Sequence, residues 1–103
     1  MMIARWQLDA RFGHKNEVIN LLKNWNEEFG TKIGWTADKT RITTGSIGVA
    51  ESRVVSEIQI KDLAELSDAF EKLNGLDGHA EWGKRMEPLI VSGSTCWEIH
   101  RVI

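Results

Sequence analysis

The sequence predicts an α+β domain in which helices cover one face of a four-stranded antiparallel sheet. Three observations carry this. Residues 2–10, Arg53–Ile60 and 95–103 alternate side-chain character with the period of two that marks a strand with two distinct faces. Residues 14–30 and 62–75 instead repeat apolar positions at three-and-four spacing, the mark of a helix with one buried stripe. The segments come in the order strand, helix, strand, strand, helix pair, strand, which is the split βαβ arrangement.

In the first strand Ala4, Trp6, Leu8 and Ala10 point one way, and Arg5, Gln7 and Asp9 the other. A helix follows, starting at His14 or Asn16, with Val18, Ile19, Leu22, Trp25 and Phe29 as its stripe and Leu21 widening it. Gly30 is expected to end it in a left-handed cap. Ile33, Trp35 and Ala37 then alternate with Lys32, Gly34 and Thr36, which reads as extended chain up to a turn at Asp38 and Lys39. Residues 40–47 are rich in threonine and isoleucine and form the second strand, with Gly45 marking a bulge or a close backbone approach. A hairpin at 48–52 leads into the third strand. There Val54, Ser56, Ile58 and Ile60 share one face, and Arg53, Val55, Glu57 and Gln59 the other.

Asp62 is a helix N-cap, and Glu65 three residues on completes a capping-box pattern. Leu63, Leu66, Phe70 and Leu73 form the buried stripe of that helix, which Gly75 stops. A short helix from about Asp77 turns Trp82 and Met86 inward and closes near Pro88. After a turn at 92–94, the last strand sets Trp97, Ile99, Arg101 and Ile103 against Cys96, Glu98, His100 and Val102. The whole is one ferredoxin-like βαββαβ domain over residues 1–103.

Composition narrows the function classes. With 13 basic residues scattered among 15 acidic ones and a formal charge of −2, the chain lacks the basic footprint of a nucleic-acid binder. No apolar run approaches the ~20 residues that cross a bilayer. The N-terminus reads directly into a strand without signal-peptide regions, and the single cysteine, Cys96, permits no internal disulfide, so a cytoplasmic location is expected. Neither the lone cysteine nor the dispersed His14, His79 and His100 has metal-ligand spacing, and no cofactor is expected. Five tryptophans with no tyrosine is an unusual balance, and some of these rings are expected to line an interface or a pocket.

The polar strand faces hold the candidate residues. With the last strand beside the first and the first beside the third, Arg5, Gln7 and Asp9 converge with Glu57 and Gln59 and with Glu98 and His100. Charges of both signs there would neutralise one another once desolvated. Trp35 and Arg41 are further ligand-binding candidates, because an arginine beside an indole suits a carboxylate on an aromatic or apolar ligand. Ile3, Val55 and Val102 among these charges leave an open face of mixed character, most simply covered by a second copy of the chain. An RNA-recognition domain shares the topology but needs stacking aromatics on the open face, and the third strand has none.

At this level the chain resembles the dimeric α+β barrel superfamily, in which two such domains pack sheet to sheet. The most specific local feature is Asp77-Gly78-His79-Ala80-Glu81-Trp82 followed by Pro88 and Leu89, which is similar to the family pattern of a histidine and, three residues later, an aromatic opening the short helix. Within the superfamily it looks closest to NIPSNAP-like and stress-responsive barrel proteins. The resemblance implies a homodimer and, by analogy with cyclase members, a base at His79. Those cyclases add a tyrosine and a preceding His-Pro, where this chain has no tyrosine and has Leu76 and Asp77. Haem degraders of the superfamily use a strand-one asparagine that is absent here.

Three functional readings result. The first is a homodimer that binds a small organic ligand in a polar, Trp-lined cavity. The second is cofactor-independent oxygenase, isomerase or cyclase chemistry with His79 or His100 as base. The third is a structural module whose polar lumen is only an ion-pair network.

Overall fold

The computed structural model describes residues 1–103 and has the expected element order. Strand β1 (Met2–Asp9) leads into helix α1 (Lys15–Glu28), then come β2 (Thr40–Thr44) and β3 (Arg53–Ile60). Helices α2 (Leu63–Asn74) and α3 (His79–Met86) precede the last strand, β4 (Cys96–Arg101). The sheet order is β2-β3-β1-β4 with every pairing antiparallel. Both central strands are therefore the two longest and most buried.

All three helices lie on one face. Leu8, Val54 and Ile60 from the sheet and Val18 from α1 are fully buried between the layers. Each such side chain contributes about 1.5–3 kcal/mol relative to an exposed one. The cap of α2 forms as its sequence demands, with the Asp62 carboxylate accepting from the Glu65 N–H at 2.9 Å and the Glu65 carboxylate accepting from the Lys61 N–H. Trp82 and Met86 of α3 turn inward, and the Trp82 indole N–H donates to the Leu21 carbonyl oxygen at 2.9 Å, tying α3 to α1.

Several expectations need correction. The alternation at 32–37 does not make a strand, although the turn expected at Asp38 and Lys39 is present. Gly30–Ile33 and Ala37–Lys39 are single 3₁₀ turns, and the left-handed residue is Gly34 (φ 88°), not Gly30. Gly30 instead has Trp25 and the Trp35 carbonyl against it, where an added Cβ would lie 3.4 Å from the Trp25 ring. Strand β2 stops at Thr44, so Ile47 sits in the following loop, 95% exposed. Gly45 is a close backbone approach: a Cβ there would fall 1.8 Å from the Ala50 carbonyl oxygen. Leu63 is not part of the buried stripe of α2 but is 56% exposed in its first turn. Phe70 lies at the margin of that stripe, edge-on to Trp97 with ring centres 5.4 Å apart. No helix is long and apolar enough to cross a membrane.

Candidate functional site

The register of the sheet separates the candidate residues onto its two sides. On the face away from the helices, one row crosses all four strands: Arg41 on β2 opposite Glu57 on β3, Glu57 opposite Arg5 on β1, and Arg5 opposite Glu98 on β4. Charge alternates along this row. Arg5 Nε donates to Glu57 Oε1 at 2.9 Å, Arg41 Nε donates to Glu57 Oε2, and Arg5 Nη1 lies 3.9 Å from Glu98 Oε1. Burial pushes the Glu57 carboxyl up, but the hydrogen bonds and charges of Arg41 and Arg5 outweigh it and hold the group below its usual range. Nearer the loop end, Arg53 donates to Asp9 at 2.8 Å and to the Gln7 side-chain oxygen at 2.9 Å, and its hydrogen bond to the Asp9 carboxylate raises the Arg53 pKa. His100 is exposed, with Nε2 3.6 Å from Glu98.

Trp35 and His79 are elsewhere. They lie on the helix side of the sheet and border a cavity of about 320 Å³, partly open to solvent, between the two layers. All five tryptophans of the chain border it. Trp35 therefore does not stand beside Arg41, whose guanidinium is occupied by Glu57 on the opposite face. The pocket is made by a size difference along one strand row: Ser56 on β3 faces Trp6 on β1, which in turn faces Trp97 on β4. A serine on a face otherwise carrying Val54, Ile58 and Ile60 leaves the helices without a large side chain to meet at that point.

The rings around the cavity form two groups. Trp6, Trp97 and Phe70 pack in sequence, with centre distances of 6.4 and 5.4 Å. Trp25 is the hub of the other group, touching Trp35 at 5.8 Å, His79 at 6.1 Å and Trp82 at 6.4 Å. His79 opens α3 directly after Gly78, whose left-handed conformation (φ 86°) only glycine adopts without cost. Its imidazole stacks on Trp82 (12° between planes) and meets the Phe29 edge at 5.3 Å. Desolvation by these rings lowers its pKa below the ordinary histidine value, so the neutral imidazole, able both to donate and to accept, is the form present at neutral pH. The indole N–H of Trp35, in a residue 4% exposed, is buried without a hydrogen-bond partner.

One pH dependence follows. A histidine whose folded pKa is depressed is neutral in the folded state while the unfolded chain takes up a proton. Stability is unaffected above the unfolded value of about 6.5 and falls as pH drops below it, until the folded pKa is passed. In His79→Phe, which keeps a ring in the aromatic box, denaturant melts between pH 7 and 5 are expected to lose less stability than the parent.

The sequence matches no family model and no curated protein. Solved structures do match. A NIPSNAP family protein from Agrobacterium tumefaciens str. C58 aligns over 99% of this chain and 85% of its own, with 18% identity and a TM-score of 0.75. An uncharacterized NIPSNAP domain protein from Burkholderia xenovorans aligns over 100% of this chain and 95% of its own, at 16% identity and TM-score 0.70. The chain has the same fold as these two proteins. A putative antibiotic biosynthesis monooxygenase from Nitrosomonas europaea has it too, at 9% identity and TM-score 0.68 over 100% of this chain and 99% of its own. This fold is thus shared among proteins of different description, and the site has to be argued from the residues this chain places on it.

Proposed function

We propose that this chain binds a small organic molecule in the cavity between sheet and helices, with Trp35 and His79 among the groups that touch it. The observation that carries this is the convergence of all five tryptophans on one space of about 320 Å³. Ligand pockets are concave, mostly apolar and lined with a few placed polar groups, here Asn26, Thr40, Ser56 and His79. In this reading the polar face of the sheet is not the ligand site, because Arg5 and Arg41 pair with Glu57 there and Arg53 with Asp9.

A second copy of the chain covers that polar face in this reading. What supports it is the alternating charge row, two arginines and two glutamates with no net charge, beside Ile3 and Val55 on an otherwise uncovered sheet.

The test uses the tryptophans as reporters. Every indole of the protein borders the cavity, so a ligand entering it lies close to several of them, and titration of small aromatic compounds is expected to shift or quench intrinsic fluorescence in a saturable way. A panel that leaves the emission unchanged, while the protein stays folded, would sink the proposal.

One observation favours chemistry in addition to binding. His79 is a half-buried imidazole among aromatic rings at the cavity wall, neutral at neutral pH and so able to take a proton from a bound molecule. The neighbours described as monooxygenases make oxygenase activity the first assay. In His79→Ala, turnover is expected to fall about 10²–10⁴-fold while ligand-induced fluorescence change persists. Equal loss of both would assign His79 to binding alone.

A further inference from the structure

We infer that the cavity selects uncharged, elongated molecules that touch both aromatic groups at once. This rests on the cavity being a ligand site, and it names the class of ligand. Two features carry it, the charge of the lining and its shape.

Among the lining side chains only two can ionise, Glu57 and His79. Both carboxylate oxygens of Glu57 are held by Arg5 and Arg41 on the far side of the sheet, so Glu57 offers no free charge to the cavity. His79 sits among rings with no carboxylate to pair it. No lysine or arginine borders the space. An anion entering here would leave water without a cation to meet, and a cation without a carboxylate. Aromatic faces attract cations when they surround a void. Here Trp25, Trp35, Trp82 and His79 also pack against one another, at 5.8–6.4 Å, and no free carboxylate stands with them to balance a cation. What remains for recognition is neutral hydrogen bonding, from Asn26, Thr40, Ser56, Asn74 and His79.

Shape sets the second requirement. The floor of the cavity includes Thr40 on β2, Ser56 on β3, Trp6 on β1 and Trp97 on β4, and so crosses the whole sheet. Neighbouring strands are ~4.8 Å apart, which makes the floor roughly 14 Å long. The Trp6–Trp97–Phe70 group stands at the β1–β4 end. The other group hangs from α1, α3 and the segment before β2. A single small ring reaches one group, and a two-ring molecule reaches both.

The experiment titrates the full chain by calorimetry with three biphenyls that differ only in charge: 4-acetylbiphenyl, biphenyl-4-carboxylate and trimethyl(biphenyl-4-yl)ammonium. Acetophenone serves as the one-ring comparison. The neutral biphenyl is expected to bind at least about tenfold more tightly than either ion and than acetophenone. Trp97→Ala, a change at a half-exposed position, is expected to weaken 4-acetylbiphenyl and leave acetophenone nearly unchanged. Asn74→Lys adds a cation at the rim and is expected to raise carboxylate affinity several-fold. Either ion binding as tightly as the neutral compound overturns the charge inference, and equal binding of one and two rings overturns the shape inference. If none of the four binds, the cavity is not a ligand site and the function proposed above falls with the inference.

Discussion

Trp82→Ala is expected to cost about 3–5 kcal/mol of folding stability, the largest loss predicted for a single side chain in this domain. The indole is 5% exposed, stacks on His79 and packs on Trp25. Its N–H is also the hydrogen bond between α3 and the Leu21 carbonyl. Truncation removes all three contacts at once and leaves a void continuous with the existing cavity, which α3, only eight residues long, has little other packing to resist. The unpaired Leu21 carbonyl adds a desolvation penalty of about 1–3 kcal/mol if it stays dry. Denaturant unfolding monitored by circular dichroism checks the magnitude. Trp82→Phe separates the contributions, since it keeps most of the packing and loses only the donor. A loss under about 1 kcal/mol for the alanine variant would show that α3 does not depend on this contact.

Much of the fold could be read from the residues because each element obeyed a local rule. Alternation assigned β1, β3 and β4 to faces, and the structure has the pairing of Arg5 with Glu57 and Glu98 that those faces require. The capping pattern at Asp62 located the start of α2. The alternation at 32–37 was misleading because Ile33, the last residue of one 3₁₀ turn, and Trp35, in the link before the next, both turn into the core, where spacing by two mimics a strand. The left-handed residue was displaced from Gly30 to Gly34 because Trp25 packs over Gly30 and the chain continues one more turn before reversing.

The site was half legible for a different reason. Periodicity tells which residues share a face, but not on which side of the sheet a void remains. The polar face drew attention because its charges suggested recognition, yet they pair among themselves. The void opens on the apolar face, where Ser56 is too small to fill the space beside Trp6. The signal was present in the excess of tryptophans over every other aromatic type. Linking them needed the three-dimensional path, because the rings come from β1, α1, the segment before β2, α3 and β4.

Arg5→Glu is the second change with a large expected effect, and it tests the other face. Glu57 is 8% exposed and depends on two guanidinia. Reversing Arg5 leaves Arg41 alone to balance Glu57 and sets the new carboxylate between Glu57 and Glu98. Breaking a buried pair costs about 3–5 kcal/mol, and partial solvent screening of the Arg5 side chain brings the expectation to about 2–3 kcal/mol at neutral pH. The sign of the acid response should also invert. In the parent, the folded pKa of Glu57 lies below the unfolded value near 4.5, so its stabilising contribution is present above that value and is lost as pH falls through the folded pKa. In the variant, neighbouring carboxylates raise the folded pKa, so protonation relieves repulsion and stability improves as pH falls toward 4.5. If a second copy covers this face, the same substitution opposes like charges across the interface, and sedimentation at neutral pH should show dissociation that acid partly reverses. A variant as stable as the parent, with the same pH slope and the same sedimentation, would mean that the charge row neither holds the sheet nor joins two copies.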